Sequence, residues 1–331
     1  MDRDKNISCI VCTHKAPDTI QDLVESLKQQ AWDSPDECVI IDNGISGERC
    51  EQLESMVAEL SKSAIKCRIV VEKKPGLTAA RLKGIEETTN PWLFFLDDDN
   101  YLGKEAIGNI RKTLISYQNI GGICPQIIPR WDASPPDWLV ALGHQVLSYN
   151  STRYSSQAHE FAVWRPGMIA PRPPGGGMFI HRRAVDAYVK LITQAEIMYD
   201  LCAVGSGLAR GEDFILYNQV FVLGLSGVYD HSVLVYHQIP RSRMSYGYIL
   251  KLIYKSNYSY GMMGLMRFGK INIIYSLMRG SARVCYEFCL QTIGVWNWRV
   301  PVSLLAALWG YFVGTMHGLF DKRCKRIRID P

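Results

Sequence analysis

The stretch Pro91-Trp92-Leu93-Phe94-Phe95-Leu96-Asp97-Asp98-Asp99-Asn100 decides the fold of this chain. Its five consecutive apolar residues, Trp92–Leu96, predict a strand that is buried on both faces, which is typical of a sheet covered by helices. Three carboxylates follow directly, where the predicted strand ends. The carboxyl ends of the strands line the ligand crevice in open α/β sheets, so we expect the functional site at this edge.

The aspartate triplet, Asp97 to Asp99, concentrates negative charge at that edge. Adjacent carboxylates repel one another unless a cation lies among them. Oxygen ligands of this kind suit Mg²⁺ or Mn²⁺, often shared with a phosphate-bearing substrate. An acidic turn in water is the alternative, but such turns rarely follow so apolar a strand.

Predicted strands and helices alternate along the first half of the chain. This alternation predicts a doubly wound, mostly parallel α/β sheet. No G-x-G-x-x-G follows the first strand and no G-x-x-x-x-G-K-[ST] occurs, which argues against a Rossmann dinucleotide site and a P-loop. The predicted strands are 7–13, 38–41, 67–71 and 92–96, and the predicted helices are 17–31, 48–62 and 77–88.

Charge is distributed unevenly over the 331 residues, of which 47% are hydrophobic. Residues 231–331 carry 14 basic and three acidic side chains, a balance of +11, whereas residues 1–230 have a balance of −6. The basic segment is also rich in Tyr, Leu, Ile and Met. It therefore favours an anionic membrane surface over nucleic acid as a partner.

The basic segment contains an uncharged stretch, residues 301–320, which is just long enough to cross a bilayer. Helices are also predicted at 244–268 and 271–295. Small residues recur every four positions in the uncharged stretch, giving one smooth face for close helix packing: Ala306, Gly310, Gly314 and Gly318. Basic residues flank both of its ends, which a single span cannot reconcile with the positive-inside rule. We therefore favour an interfacial or re-entrant unit, with a true span as the alternative.

Four motifs in the first hundred residues resemble those of the family 2 glycosyltransferases, which have the GT-A fold. In chain order they are VCTH at 11–14, IIDNG at 40–44, KPGLTAARLKGI at 74–85 and FLDDDN at 95–100. The resemblance covers roughly residues 7–240. It implies that the substrate is a nucleotide-sugar, linked to UDP or GDP.

The resemblance also implies roles for individual residues. The first loop and the second-strand acid would hold the base and ribose, the helix arginine would approach the nucleotide, and the aspartates would bind donor and metal. The nucleotide-sugar residues are Thr13, His14, Asp42, Arg81, Asp97 and Asp98; the metal residues are Asp97 and Asp99. The family more often has Tyr where this chain has His14. A simple turn at Asp42 and a solvated Arg81 are the alternatives.

Three glycines, Gly175 to Gly177, precede a predicted strand, Met178 to Ile180. Glycine lets the backbone approach a ligand closely, and the resemblance implies that Gly176 and Gly177 face the donor sugar. A flexible turn is the alternative. Before them, residues 129–174 contain seven prolines and three tryptophans, which is typical of a lid or a binding segment.

A Glu212-Asp213 pair precedes the apolar helix 214–223. The resemblance implies that one of these acids, usually the Asp, takes the proton of the attacking hydroxyl. We therefore predict Asp213 as the general base and Glu212 as the alternative, while a helix cap would be a purely structural explanation. His237 follows the strand 227–236, where the resemblance implies contact with metal or diphosphate; a structural histidine is the alternative.

Together these observations predict a GT-A catalytic domain at 1–240, with a nucleotide-binding half at 1–128 and an acceptor and donor-sugar half at 129–240. Residues 241–331 form a basic membrane-associated tail. We expect an inverting transferase that uses Mn²⁺ or Mg²⁺ at the cytoplasmic membrane face. Its acceptor would be a glycan or lipid-linked precursor in cell-envelope or exopolysaccharide synthesis. A metal-dependent nucleotidyltransferase and a non-catalytic, membrane-docked scaffold are the alternatives.

Overall fold

The computed structural model of the chain describes residues 5–14, 17–44, 48–63, 65–143, 147, 161–164, 175–193, 211–268, 277–278, 280–282, 284–285 and 297–320. The chain divides into two compact units. The sheet unit comprises Met1–Arg130, Tyr149–Lys190 and Asp213–Gln238, and the helical unit comprises Trp131–Ser148, Leu191–Glu212 and Ile239–Pro331. The domain boundary predicted at residue 240 stays a prediction.

Strands and helices alternate as far as residue 97 and then follow less regularly. The strands are β1 (Ile7–Thr13), β2 (Glu37–Asp42), β3 (Lys66–Val71), β4 (Trp92–Asp97), β5 (Asn100–Leu102), β6 (Ile120–Trp131), β7 (Phe161–Trp164), β8 (Met178–His181) and β9 (Ser226–Ile239). The helices are α1 (Pro17–Lys28), α2 (Glu48–Leu60), α3 (Leu77–Glu86), α4 (Ala106–Ser116), α5 (Asp137–Gly143), α6 (Arg182–Thr193), α7 (Glu212–Val222), α8 (Tyr246–Phe268) and α9 (Arg299–Phe320). A short 3-10 helix, Arg241–Met244, precedes α8.

The described strands form one sheet in the order β3-β2-β1-β4-β8-β6-β9-β5, with β7 paired to β9. β1, β2, β3 and β4 are parallel to one another, with Cys9 opposite Cys38 and Phe94. β8 pairs antiparallel with β4, and β5 pairs antiparallel with β9. The predicted α/β class is therefore confirmed, and parallel pairing is found among its first four strands.

β4 lies inside the sheet, between β1 and β8. Leu93 and Phe94 are fully buried because each of the two sheet faces is covered. Trp92 stacks on Phe179 of β8 at a ring-centroid distance of 5.0 Å. This position explains the five consecutive apolar residues, and it places Asp97 at the end of a strand whose path is fixed by both neighbours.

Helix α3 packs closely against the sheet through Gly84. A Cβ atom at this position would collide with the side chain of Ile10 in β1, so a larger residue would push the helix outward. The helix begins after Gly76, whose φ of 123° lies in a region that L side chains rarely adopt. The close approach buries Arg81 on the sheet side, where it is 3% exposed.

Asp36 fastens the loop before β2 to β1 and α4. Its carboxylate accepts hydrogen bonds from the backbone N–H groups of Ile7 (2.8 Å) and Asp33 (3.0 Å), and it contacts the Arg111 guanidinium. The side chain is completely buried, and this burial raises the pKa of Asp36. The carboxylate therefore holds three parts of the sheet unit together.

We expect Asp36→Ala to lower the free energy of unfolding by about 3 kcal/mol, because it leaves a buried N–H and a largely buried guanidinium without their acceptor. Urea denaturation measures the loss. Asp33→Ala is the control: Asp33 also pairs with Arg111, at 3.2 Å, but its side chain is 58% exposed. This variant should cost less than about 1 kcal/mol. Equal losses in the two variants would contradict this account.

In the helical unit, α8 and α9 run parallel in close contact. At one end, the Tyr246 hydroxyl donates to the backbone oxygen of Arg299 at 3.1 Å. Further along, Cβ atoms at Gly310 and Gly314 would collide with the carbonyl oxygens of Tyr254 and Tyr258. The small residues of α9 therefore let the two backbones approach within van der Waals contact.

The small-residue face of α9 differs from the predicted one in one position. Gly310, Gly314 and Gly318 are buried as predicted, but Ala307 is buried and Ala306 is half-buried. By length and composition, α9 is able to cross a membrane. The predicted helix 271–295 lies almost entirely outside the described residues.

Candidate functional site

The three aspartates at the carboxyl end of β4 contact three different side chains of the sheet unit. Asp97 Oδ1 lies 3.4 Å from Arg81 Nη2, Asp98 Oδ2 accepts a hydrogen bond of 2.7 Å from Thr13 Oγ1, and Asp99 Oδ2 lies 3.5 Å from His237 Nε2. The triplet thus joins the end of β1, the helix α3 and the end of β9. Most of the predicted site residues meet around it.

Arg81 joins two carboxylates that are far apart in the chain. Its Nη1 donates to Asp213 Oδ1 at 2.7 Å, while its Nη2 faces Asp97 Oδ1 at 3.4 Å. The guanidinium fork suits this arrangement, since its two nitrogens can serve separate carboxylates in fixed geometry. The predicted base on α7 and the first aspartate of β4 are therefore held by one buried cation.

Asp97 lies in a crowded electrostatic environment. Burial is the largest effect and raises the pKa of Asp97, although 36% of its side-chain surface reaches solvent. The Arg81 guanidinium acts in the opposite direction, and the nearby carboxylates of Asp99 and Asp213 raise the pKa further. Ionisation of Asp97 is therefore disfavoured by burial and by its neighbouring carboxylates, and favoured by Arg81.

Gly175 and Gly176 lie directly against these charged groups. A Cβ atom at Gly175 would collide with Asp213 Oδ1 and Arg81 Nη2, and one at Gly176 would collide with Asp97 Oδ2. Gly177 has a φ of 132°, and its N–H donates to Phe95 O at 2.9 Å. The backbone of this segment therefore forms a wall of the site, and a side chain at Gly175 or Gly176 would have to displace these charged groups.

His237 and Asn100 form a second polar corner. They are opposite each other in the antiparallel β5–β9 pair, and both are at least 96% buried. The Asn100 amide donates to Gly176 O. Among the described residues, His237 Nδ1 and Asn100 Oδ1 have no hydrogen-bond partner. The antiparallel pairing of the three-residue strand β5 is what brings Asn100 into the site.

The carboxyl ends of β1 and β2 lie side by side, with Thr13 opposite Asp42. Asp42 is 3% exposed, and its carboxylate accepts a hydrogen bond from the Gly44 N–H at 3.0 Å. His14 is exposed just beyond β1. Glu212 is buried at the first position of α7 and belongs to the helical unit. Their predicted roles remain predictions.

No group of three or more His, Cys, Asp or Glu side chains is arranged to hold a metal in the part of the chain that the structure describes. The Asp99–His237 pair offers an oxygen and a nitrogen ligand, with Asp97 two residues away along the chain. Mg²⁺ sites commonly use one or two carboxylates and complete their shell with water and substrate phosphates. The residues present therefore fit a metal that arrives together with a diphosphate.

Residues 8–169 match the family model described as Glycosyl transferase family 2. These residues belong to glycosyl transferase family 2. The match contains all of the first-half motifs, from Thr13 to Asp99, and ends before Asp213 and His237. The predicted family is therefore confirmed. No curated protein matches the chain.

Solved glycosyltransferases share the fold at low sequence identity. The crystal structure of GalNAc-T7 with UDP, GalNAc and Mn²⁺ aligns with a TM-score of 0.51 and 14% identity, over 84% of this chain and 51% of that one. The structure of S. aureus TarS 1–349 in complex with UDP aligns with a TM-score of 0.50 and 11% identity, over 94% and 90%. The chain thus spans about half the length of the GalNAc-T7 chain. These likenesses confirm the predicted GT-A fold.

Proposed function

We propose that this family 2 glycosyltransferase is an inverting enzyme that moves a sugar from a UDP- or GDP-linked donor to a glycan or lipid-linked acceptor. The observation that carries the proposal is the Arg81 bridge, which holds Asp97 and Asp213 at one site. The glycine backbone at Gly175 and Gly176 lies against the same three side chains. The proposed donor-binding acid and the proposed proton acceptor would therefore be adjacent, as direct sugar transfer requires.

In the proposed reaction, the acceptor hydroxyl oxygen attacks the anomeric carbon from the face opposite the leaving group. The bond between that carbon and the diphosphate oxygen breaks, and a nucleoside diphosphate leaves. Asp213 takes the hydroxyl proton as general base. Arg81 does not take part in bond making; it positions Asp213 through the ion pair.

The donor's nucleoside would lie at the ends of β1 and β2, beside Thr13, His14 and Asp42. Asp97 and Asp98 would contact the donor, and Gly176 and Gly177 would face its sugar. Asp99 and His237, with Asp97, would hold Mn²⁺ or Mg²⁺. When bound, this ion would supply positive charge that stabilises the leaving diphosphate.

Asp99→Ala should abolish the metal-dependent binding of UDP or GDP while the fold survives, because the variant removes the carboxylate that faces His237. Isothermal titration calorimetry with and without Mn²⁺ measures the affinity, and the melting temperature reports the fold. Glu105→Ala, which removes an exposed carboxylate at the start of α4, is the matched control. Unchanged nucleotide affinity in the presence of metal would refute the assignment of Asp99.

Product analysis separates the proposed reaction from its rivals. Sugar transfer releases a nucleoside diphosphate, whereas nucleotidyl transfer releases pyrophosphate. A non-catalytic scaffold would neither transfer nor hydrolyse any nucleotide-sugar. The Arg81–Asp213 ion pair supports the first outcome, because Asp213 is the proposed base and Arg81 also contacts Asp97, a proposed donor-binding residue.

We further propose that the enzyme acts at the cytoplasmic face of the cell membrane, in cell-envelope or exopolysaccharide synthesis. The +11 charge balance of residues 231–331 and the apolar helix α9 support this location. Transfer assays against lipid-linked and soluble glycans identify the acceptor.

A further inference from the structure

Helix α9 has two faces of opposite character. One face packs its glycines against α8, as described above. The opposite face exposes five large apolar side chains at helical spacing, and we refer to these as the outer face of α9. They are Val302 (38% exposed), Leu305 (66%), Trp309 (60%), Phe312 (42%) and Phe320 (78%).

The outer face is unusual for a surface helix because no Asp, Glu, Lys or Arg occurs between Val300 and Phe320. Single exposed apolar side chains are ordinary, but a continuous apolar stripe on a helix marks an interaction surface. Water-facing helices normally carry charged residues on this side. The outer face therefore has a partner of apolar character.

We infer that the outer face of α9 docks on an anionic phospholipid bilayer and lies within one leaflet, parallel to the membrane surface. Charge complementarity identifies the partner. Arg299 precedes the uncharged stretch, and five basic residues follow it in the sequence: Lys322, Arg323, Lys325, Arg326 and Arg328. An apolar stripe between basic ends matches lipid chains bordered by anionic headgroups.

The amino end of α9 has the composition of a membrane interface. The Arg299 guanidinium lies 4.7 Å above the Trp298 ring, and the rings of Trp138 and Tyr246 are 5.4 Å and 5.3 Å from it. Trp298 is 60% exposed, whereas Trp138 is buried, so Trp298 is the tryptophan of this cluster that can reach a headgroup. Tryptophan and tyrosine with a neighbouring cation are typical of the headgroup level of a bilayer.

A second copy of the chain fits the outer face less well. Helices associate closely in apolar surroundings when small residues let their backbones approach. In α9 these residues, Gly310 and Gly314 among them, are already occupied by α8 of the same chain. The outer face carries bulky side chains instead, which suit disordered lipid chains.

The position of α8 indicates whether α9 lies in one leaflet or crosses the bilayer. Tyr254, whose carbonyl contacts Gly310 at the middle of α9, lies between Lys251 and Lys255. Lys251 is exposed and Lys255 is half-buried. If α9 crossed the membrane, α8 would carry both ammonium groups to the hydrocarbon centre, where charge is most costly. An interfacial orientation leaves them at the water side.

The test uses the full-length chain and vesicles of equal parts phosphatidylglycerol and phosphatidylcholine. The test variant is Leu305→Ser/Trp309→Ser/Phe312→Ser. The matched control is Val71→Ser/Ile115→Ser/Val222→Ser, which removes three exposed apolar side chains of the sheet unit. Flotation is measured at low and high salt without donor or acceptor, so the result does not depend on the proposed transfer reaction.

We expect the natural protein and the control to float with the vesicles at both salt concentrations. The test variant should lose at least about 100-fold in vesicle partitioning at high salt, because apolar burial is the contribution that salt does not screen. Nucleotide binding and melting temperature check that the variants are folded. Equal partitioning of the test variant and the natural protein at high salt would overturn the inference, and so would a natural protein that does not float.

Two further measurements address the rival partners. If sedimentation shows a dimer that the test variant dissociates, while vesicle binding is unchanged, the outer face is a protein interface. The fluorescence of Trp309 is obtained as the difference between the natural protein and Trp309→Phe. Lipids brominated near the headgroup should quench this fluorescence more strongly than lipids brominated near the chain ends. Stronger quenching from the chain ends would show that α9 inserts deeply and would contradict the orientation within one leaflet.

Discussion

Asp213→Asn is expected to lower kcat by about 10² or more while donor binding is nearly retained. The amide keeps the shape of the carboxylate but cannot accept the proton of the attacking hydroxyl. Asp213 is suited to this task because Arg81 fixes one of its oxygens at 2.7 Å, and its side chain is 39% exposed, so an acceptor can reach it. Single-turnover kinetics with a radiolabelled donor measure the chemical step.

Glu212→Gln is the control for this prediction, since it makes the same chemical change at the neighbouring position. Glu212 is 4% exposed, which leaves little room for an acceptor hydroxyl. We expect this variant to keep most of its activity. If Glu212→Gln is inactive and Asp213→Asn is active, the base has been assigned to the wrong carboxylate.

Arg81→Met is expected to lower kcat/KM by at least about 10², because it removes the cation that holds Asp97 and Asp213 in place and small misplacements of reacting groups are costly. The free energy of unfolding should fall by only about 1 kcal/mol, because the carboxylates of Asp97 and Asp213 are more than a third exposed and solvent screens their charge. Chemical denaturation and steady-state kinetics measure the two effects. Arg81→Lys keeps the charge without the fork, and should recover stability more than activity.

The Arg81→Met/Asp213→Asn double variant shows whether Arg81 acts through Asp213. Residues that work as a unit have strongly non-additive effects on rate. We therefore expect the double variant to be little slower than the slower single variant. If the two rate losses multiply instead, Arg81 acts on the donor independently of the base, and its positioning role is wrong.

Much of the sheet unit could be predicted from the sequence because its first half is built from local patterns. Each predicted strand before residue 97 lies within about one residue of its observed bounds, since buried strands between helices have a strong periodic and compositional signal. β5 was not predicted. It has three residues and is formed by pairing with β9, more than a hundred residues later, which no local pattern reports.

The functional site, too, could be predicted only where it depends on local patterns in the sequence. The ends of β1, β2 and β4 could be placed at one sheet edge because parallel strands end together. The pairing of Arg81 with Asp213 could not be predicted, since it depends on where α7 begins relative to the sheet. The role of Asn100 could not be predicted for a related reason. It ends the FLDDDN motif, but its contact with Gly176 forms only when β8 packs beside β4.

In the tail, the sequence identified the small-residue stripe but not its partner. The spacing of Gly310, Gly314 and Gly318 predicted close packing on some helix. That this helix is α8, and that it runs parallel to α9, depends on the path of the chain between them. Because the helices run parallel, Lys251 and Lys255 lie beside the middle of α9. Their position there favours an α9 that lies in one leaflet over one that crosses the bilayer.

The glycine wall at Gly175 and Gly176 would also limit how the proposed transferase can be redesigned. Sugar preference in a transferase is commonly altered by exchanging side chains that surround the donor. In the proposed donor site the backbone would stand where those side chains would be, and a Cβ atom at Gly175 or Gly176 would collide with Asp213 or Asp97. If Asp97 and Asp213 act as proposed, we expect most members of a library that varies these two positions to lose activity. Attempts to broaden the donor range should vary other segments and leave this one untouched.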